Sequence, residues 1–284
     1  MTQTVSLINN KGGTGKSTVA VNLAWHFAAY NNWGKKVLVV DLDPQVNASL
    51  YLLGVHKYAN IINDKKPAVR EIFEQLMGIP GKTRKIIPGE SVRSVARIRH
   101  GGKIDLIPSR PDLDLSLSLR NPGQKEYLLQ KTLSEIKDGY DLILIDCAPT
   151  ESVLTTAAYL ASNYVLVPVR PEYLSTVVLS LLVNSMRNFH EQYKDHVAEL
   201  CGIVFNAVTG TPEEKKSKTE VGKLADKNGW HVFSSEIPYS RYYPKGAREG
   251  QPIFRTSYAH TDQAAKFSVF AEEFAERIGL SPRR

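Results

Sequence analysis

Residues 5–18 read Val5-Ser-Leu-Ile-Asn-Asn-Lys-Gly-Gly-Thr-Gly-Lys-Ser-Thr18, and this stretch decides the fold. A short apolar strand runs into a glycine-rich turn, the turn ends in Lys16-Ser17, and an apolar helical pattern follows. Glycines let backbone N–H groups turn inward around phosphate oxygens, the lysine supplies positive charge, and the hydroxyl is a Mg²⁺ ligand. The stretch therefore predicts a P-loop, which is a strand–loop–helix cradle for the phosphates of a nucleotide.

Strand-like and helix-like segments alternate along the rest of the chain. This alternation predicts an α/β fold, with a mostly parallel twisted sheet and helices on both faces. Apolar runs such as 37–40 and 142–145 are typical of strands buried on both faces. We see no repeat or linker, so we expect one P-loop NTPase domain over residues 1–284. Strands are predicted at 4–9, 36–41, 104–108, 142–146, 164–169, 201–206 and 232–237, and helices at 17–30, 69–76, 124–137, 151–160, 174–192, 212–228 and 262–278.

Composition excludes several classes of protein. The chain is 42% hydrophobic and 23% charged, as in ordinary soluble globular proteins. No apolar run approaches the roughly 18 residues of a membrane span, and the first strand leaves no room for a signal peptide. The only two cysteines, Cys147 and Cys201, are far apart, which argues against a disulfide framework or a metal site. We therefore expect a cytoplasmic protein.

The charge balance favours an anionic partner. Lys and Arg number 36 against 29 Asp and Glu, for a net charge of +7. Nucleic acid is the leading candidate for such a protein. The alternative is a mildly basic protein without any such partner.

Two carboxylate segments complement the loop. One strand ends in Asp41-Leu-Asp-Pro-Gln-Val-Asn47, and another ends in Asp146-Cys-Ala-Pro149. Ligands of open α/β sheets bind at the carboxyl ends of parallel strands, so these acids should lie beside the loop. An aspartate after an apolar strand, as at Asp146, has the Walker B form and holds Mg²⁺ directly or through water. For Asp41 a structural hydrogen bond or a helix cap is the alternative.

The loop carries a second lysine, Lys11, at its start. The order Lys-Gly-Gly-Thr-Gly-Lys-Ser over 11–17 resembles the deviant Walker A motif of the ParA/MinD family. Residues 41–47 resemble the switch I segment of that family, and residues 146–149 resemble its switch II. The resemblance covers the chain but is weak over 57–103 and after Tyr239. In that family the early lysine reaches across a dimer interface to the partner's nucleotide.

The resemblance implies roles for matching residues. Three would be catalytic: Lys11 would neutralise charge across the dimer, Lys16 would contact the β- and γ-phosphates, and Asp43 would orient the attacking water. Ser17 would ligate Mg²⁺ with support from Asp146. ATP and Mg²⁺ are thus the implied cofactors. Nucleotide contacts are implied for Lys11, Gly12, Gly13, Thr14, Gly15, Lys16, Ser17 and Thr18, and at the adenine for Asn206 and the backbone near Pro238. For Asn206 a turn-forming role at a strand end is the alternative.

Basic side chains gather in the C-terminal third. They lie on the predicted helix 212–228 and in the loop 239–258, where aromatic residues alternate with the charges. Such a surface suits phosphate contacts without base reading. Family members that lack an N-terminal reading domain bind DNA nonspecifically through this region, and we expect the same here because the chain starts at its first strand. The DNA contacts this implies are Lys215, Lys216, Lys218, Lys223, Arg241, Lys245, Arg248 and Arg255. The alternative is a solvated helix, since acids such as Glu213 and Glu220 dilute its charge.

Two further segments carry separate expectations. Residues 78–102 are basic and irregular, and the alternation over 91–99 predicts an exposed strand or hairpin arm. This segment is either a solvated excursion or a surface that faces DNA or a partner. The C-terminal helix 262–278 has an apolar face with Phe267, Phe270 and Phe274, but its polar face is acidic and would be repelled by anionic lipid. We expect it to dock on the sheet rather than on a membrane.

The leading hypothesis is a ParA-like ATPase of plasmid or chromosome partition. ATP would form a homodimer that binds double-stranded DNA, and a ParB-like or adaptor protein would stimulate slow hydrolysis and release. The protein would then be associated with the nucleoid. One alternative is a ParA-like ATPase that positions a protein cargo, such as an organelle or a chemotaxis cluster. Less favoured are an ATP-dependent metabolic ligase, which needs a substrate pocket and an added domain, and an electron-transfer protein, which needs two cluster cysteines.

Overall fold

The computed structural model describes residues 1–30, 33–74, 87–98, 101–113, 125–196, 198–256 and 261–282. The strands are β1 Gln3–Leu7, β2 Lys36–Asp41, β3 Arg93–Arg97, β4 Lys103–Ile107, β5 Leu142–Asp146, β6 Tyr164–Val169, β7 Glu199–Val208 and β8 Ile237–Pro238. The helices are α1 Lys16–Ala29, α2 Asn47–Leu53, α3 Val55–Asn63, α4 Val69–Glu74, α5 Glu126–Ile136, α6 Val153–Ala161, α7 Ser175–Gln192, α8 Pro212–Asn228, α9 Tyr242–Glu249 and α10 Thr261–Arg277. Short 3₁₀ turns lie at Pro88–Ser91, Lys137–Gly139 and Ile253–Arg255.

The strands form one sheet of eight strands in the order β3-β4-β2-β5-β1-β6-β7-β8. Neighbouring strands are parallel except for the antiparallel pair β3–β4. The central strand β1 lies between β5 and β6, so the loop after it leaves from the middle of the carboxyl edge. The register pairs Leu7 with Asp146 and Asp41 with Asp146, which brings both aspartates to that edge. The predicted α/β fold is confirmed.

Alternate residues of the central strands are buried in two separate hydrophobic cores. Leu142 and Leu144 of β5 belong to the first core, while Ile143 and Ile145 belong to the second. The first core is covered by α1, α2, α9 and α10, and the second by α4, α5, α6, α7 and α8. This double burial is why the strands read as continuous apolar runs.

Helix boundaries agree closely with the periodicity at several places. Helix α8 spans the predicted residues 212–228, α7 begins one residue later than predicted, and α10 begins and ends one residue earlier. The prediction omitted α2, α3 and α9. The last residues of the predicted helix 69–76 and the first of 124–137 lie outside the described residues. Within the alternation over 91–99, residues 93–97 form strand β3, which pairs antiparallel with β4 and confirms the predicted hairpin arm.

The predicted strand 232–237 is wrong over most of its length. Only Ile237 and Pro238 form a strand, and Val232 makes an isolated bridge to Ile203. Between them, the N–H groups of Ser234 and Ser235 donate to the Glu273 carboxylate at 2.8 and 3.0 Å. The backbone amides there pair with a side chain of α10 instead of a neighbouring strand.

The C-terminal helix α10 docks on the sheet, as predicted. Phe267, Phe270 and Phe274 are each no more than 1% exposed and lie in the first core. Within the described ranges, none of the helices is both long and apolar enough to cross a bilayer.

We expect Phe270→Ala to lower the free energy of unfolding by about 3–5 kcal/mol, because it removes a fully buried ring and leaves a cavity. The neighbouring Val269 is 57% exposed, so Val269→Ala should change stability by less than about 0.5 kcal/mol. Urea unfolding followed by circular dichroism measures both. Equal effects of the two substitutions would contradict the docked helix.

Candidate functional site

The loop between β1 and α1 has the backbone of an anion cradle. Gly13 and Gly15 have left-handed φ angles of 75° and 88°, which side chains disfavour. Gly15 precedes α1, and the first helical bond runs from Val19 N to Gly15 O at 2.9 Å. The N–H groups of the first turn therefore have no acceptor within the helix, and the helix dipole favours an anion there. No acidic residue of the first turn opposes this.

Asn9, at the start of the loop, fixes its course. The Asn9 amide donates to Pro168 O of β6 at 2.8 Å and accepts from Lys11 N at 2.9 Å. Asn9 is 3% exposed, and its bond to Pro168 is buried. Sequence reasoning missed this residue, although its place after the apolar run of β1 and Ile8 parallels that of Asn206 after its own apolar run.

Lys16 lies inside the cradle. It is 6% exposed, and its Nζ donates to Asn9 O at 3.0 Å and to Lys11 O at 3.4 Å. Burial lowers the pKa of Lys16, and the nearby Asp146 and Asp43 carboxylates act in the opposite direction. The side chain therefore places a positive charge where the loop is built to receive phosphate.

Asp146 is fully buried, and among the described residues neither of its carboxylate oxygens has a hydrogen bond of normal geometry. Burial raises the pKa of Asp146 well above its ordinary value, against the opposing effects of the Ser17 hydroxyl and the Lys16 charge. A buried carboxylate without a partner is costly, so its oxygens are suited to a ligand. Mg²⁺ prefers such oxygen donors and keeps several waters, so Asp146 with the adjacent Ser17 fits this ion.

Asp41 has a structural role. It is fully buried, and it accepts hydrogen bonds from Asp43 N at 3.1 Å, Ser49 N at 2.8 Å and Ser49 Oγ at 2.6 Å. Burial raises the pKa of Asp41 to about 7 despite these donors. The alternative noted for Asp41, a structural hydrogen bond, is the one observed, and it ties residues 43–49 to the end of β2.

Asp43 lies in a tight turn under strain. It is 6% exposed, and its Oδ1 accepts from Gln45 N at 2.9 Å. The turn closes at Val46, whose φ of 54° is in the left-handed region. A β-branched residue rarely adopts this conformation, which costs about 1–3 kcal/mol. Asp43 is thus held beside the loop by a turn that the surrounding bonds impose.

Asn206 contacts the loop itself. Its Nδ2 donates to Thr14 O at 2.7 Å, and a Cβ on Gly15 would come within 2.1 Å of the same nitrogen. The register between β7 and β8 shifts at Ala207, whose φ is 56°, and this irregularity follows Asn206 directly. Pro238 lies opposite Val208 on the neighbouring strand. The structure therefore places Asn206 against the cradle and Pro238 on the strand beside it.

The first limb of the loop is held by two acids that sequence reasoning missed. Lys11 Nζ forms an ion pair with the Glu172 carboxylate, and Asn10 Nδ2 donates to Glu151 Oε1 at 2.7 Å. The hydrogen bond from Lys11 lowers the pKa of Glu172. Lys11 therefore lies at the rim of the cradle, with 27% of its side chain exposed, whereas Lys16 lies within.

The candidate DNA contacts fall into two groups that the fold separates. Helix α8 packs on the second core, whereas α9 and the turn Ile253–Arg255 pack on the first. Lys215, Lys223 and Arg248 are exposed. The others have partners within the chain, namely Lys216 with Glu213, Lys218 with Glu236, Lys245 with Glu249, Arg241 with the Tyr242 ring and Arg255 with the Trp25 ring. The two groups do not form one continuous face.

The basic segment 78–102 is described only in part. Lys82, Arg84, Lys85, Arg99 and His100 lie outside the described residues. Of the rest, Arg97 pairs with Asp105 at 2.6 Å, and Arg93 donates to Pro67 O at 2.5 Å. These two arginines make contacts within the fold.

Comparison with known proteins identifies the domain. Residues 2–199 match the family model AAA_31, described as an AAA domain. The chain is 29% identical to the chromosome-partitioning ATPase Soj of Treponema pallidum over 282 residues, which covers 98% of this chain and 99% of Soj.

Solved structures show the same fold. Apo McdA of Cyanothece superposes with a TM-score of 0.79 at 19% identity, covering 98% of this chain and 100% of McdA. Cobyrinic acid a,c-diamide synthase of Mycobacterium smegmatis, with bound ADP and magnesium, gives a TM-score of 0.69 at 23% identity, over 96% of this chain and 93% of the synthase.

We expect Gly15→Ala to abolish detectable ATP binding and to lower the free energy of unfolding by about 1–3 kcal/mol, because the methyl group meets Asn206 at a left-handed position. Isothermal titration calorimetry and thermal unfolding measure the two effects. Gly222 of α8 has no heavy atom within 4 Å of its would-be Cβ, so Gly222→Ala serves as the control and should leave ATP binding intact. Normal ATP affinity in Gly15→Ala would contradict the proposed cradle.

Proposed function

The chain belongs to the AAA_31 family, of the ParA/MinD type, and on that premise we propose that it is a ParA-like ATPase of plasmid or chromosome partition. In this proposal ATP assembles a sandwich homodimer that binds double-stranded DNA nonspecifically. A ParB-like or adaptor protein then stimulates hydrolysis, which releases the dimer.

The observation that carries the proposal is the unequal placement of the two lysines. Lys16 is buried in its own cradle, whereas Lys11 is partly exposed at the rim, where its ammonium pairs with the surface acid Glu172. Because Lys16 already supplies a positive charge within the cradle, Lys11 is not required for the nucleotide bound by its own chain. A lysine at the rim is available to a nucleotide held by a second copy, and it would act there as an arginine finger acts in trans.

The catalytic steps follow from positioning and charge. Phosphoryl transfer requires little covalent chemistry from the protein, so the loop amides and Lys16 would hold the β- and γ-phosphates in place. Ser17 and Asp146 would hold Mg²⁺, which neutralises charge on the phosphate oxygens when bound. Asp43 would orient the attacking water. A carboxylate abstracts a proton poorly, so we expect slow turnover until a partner completes the site.

An exposed apolar stripe supports dimerisation. Tyr173, Val177 and Leu181 recur at helical spacing and are 73%, 56% and 55% exposed, and Leu174 beside them is 54% exposed. Apolar side chains grouped in this way mark an interaction surface more often than a solvated face. The stripe begins directly after Glu172, the partner of Lys11, so a second copy docked there would come close to the rim of the cradle.

We expect Val177→Glu to prevent ATP-dependent dimerisation, raising the dissociation constant at least about tenfold, because the interface would bury an unpaired charge. Val269 on α10 is 57% exposed, nearly the same as Val177, so Val269→Glu is the matched control. Sedimentation velocity with Mg²⁺ and AMPPNP measures the dissociation constant. If both variants dimerise like the native protein, the stripe is not the interface.

DNA binding should require ATP and weaken steeply with salt, since phosphate contacts release counterions. Fluorescence anisotropy with duplexes of unrelated sequence measures the affinity between low and moderate salt. Lys215→Gln with Lys223→Gln should reduce the slope of log affinity against log salt by about two. The control removes the same charge at Lys131 and Lys137, exposed residues outside the candidate set, and should leave the slope unchanged. Equal affinity with and without ATP would refute the nucleotide-gated dimer.

A further inference from the structure

The lysine at the rim of the cradle is held by a carboxylate of its own chain. Lys11 Nζ contacts Glu172 Oε2, and the other oxygen of that carboxylate, Oε1, accepts from Arg170 Nε at 3.1 Å. Both oxygens are therefore engaged. Beside this pair, Glu151 links Asn10 to α7, since its Oε2 accepts from Ser185 Oγ at 2.7 Å.

The backbone around Glu172 is fixed by its own hydrogen bonds. Glu172 N is bonded to Arg170 O at 2.8 Å and lies 3.1 Å from Ser175 Oγ, while Ser175 N donates to Glu172 O at 2.9 Å. Ser175 is 3% exposed and its hydroxyl donates to Arg170 O. The turn between β6 and α7 thus presents the carboxylate at a defined position, at the base of the apolar stripe.

An ion pair of this kind contributes little to the stability of the fold. The two side chains are 27% and 42% exposed, and ion pairs in contact with water contribute little because solvent screens them. The same small free energy matters more for Lys11 itself, because the lysine must leave Glu172 before it can contact the nucleotide of a second copy. Lys11 cannot satisfy Glu172 and neutralise a phosphate of another chain in full at the same time.

We propose that Glu172 is a positioning residue that retains Lys11 in the monomer, and that dimerisation with ATP exchanges Glu172 for the partner's nucleotide phosphate as the counter-ion of Lys11. This inference rests on the proposed function. The phosphates of ATP carry more negative charge than one carboxylate, so the exchange is favourable when the partner holds ATP. Glu172 thus opposes the association of two copies, because the bound nucleotide must displace it from Lys11 before the dimer forms.

The test is the dissociation constant of the ATP-bound dimer in Glu172→Gln. Each dimer breaks two such pairs, so the constant should fall by about four- to twentyfold relative to the native protein. Sedimentation velocity with Mg²⁺ and AMPPNP measures it. Glu249→Gln is the matched control, because it removes the exposed-surface pair of Lys245 with Glu249, 3.7 Å apart, which lies on α9. This control should leave the constant unchanged.

A second measurement separates positioning from a structural role. If Glu172 merely stabilised the fold, its substitution would weaken the dimer and lower the melting temperature together. Glu172→Gln should instead tighten the dimer without raising the melting temperature of the nucleotide-free protein. In a Lys11→Ala background the same substitution should leave the monomer–dimer distribution unchanged, because nothing remains to be released.

An unchanged or weaker dimer in Glu172→Gln, beside a native protein that dimerises with AMPPNP, would overturn this inference and leave the proposed function standing. A native protein that stays monomeric with AMPPNP at every concentration would instead overturn the proposed function, and this inference with it. A tighter dimer that persists in the Lys11→Ala background would show that Glu172 acts through some other group, and would also overturn the inference.

Discussion

The ion balance around Lys16 is the constraint on which the rest of the site depends. A buried ammonium is costly unless carboxylates lie nearby, and here Asp146 and Asp43 provide them, at the edge where β2 and β5 end side by side at Asp41 and Asp146. Asp41 is then committed to the backbone and hydroxyl of Ser49, which leaves Asp146 with unpaired oxygens among the described residues. Asp41 thus fixes the segment beside the cradle, and Asp146 can accept a ligand.

The two lysines of the loop illustrate how exposure separates function within a few residues. Lys16 begins α1 inside the cradle, where the helix and the loop carbonyls determine its position. Lys11 precedes the glycines and meets the turn between β6 and α7, a contact that spans 161 positions of sequence. The motif resemblance gives the two lysines different roles, and the fold adds that one is enclosed and the other is held at the rim.

Local patterns in the sequence predicted what local physics determines. The glycine turn, the apolar strands and the capped helix α8, whose Thr211 accepts from Glu214 N, could be recognised because each signal lies within a few residues. Helices α2 and α3 are only seven and nine residues long, so they were missed, and Glu273 of α10 captured the amides that a strand would have used. Glu151, Glu172 and the separation of the basic groups depend on contacts between distant segments, which no local pattern encodes.

Val46 has a consequence for how the segment after β2 responds to a ligand. Its left-handed backbone is imposed by neighbours, chiefly the bonds that Asp41 makes to residues 43 and 49. Strain of about 1–3 kcal/mol reduces the difference in free energy between this conformation of the segment and a relaxed one. A ligand then needs only a modest difference in affinity between the two to reverse their populations. The strain at Val46 therefore makes the segment after β2 more sensitive to a bound ligand than an unstrained segment would be.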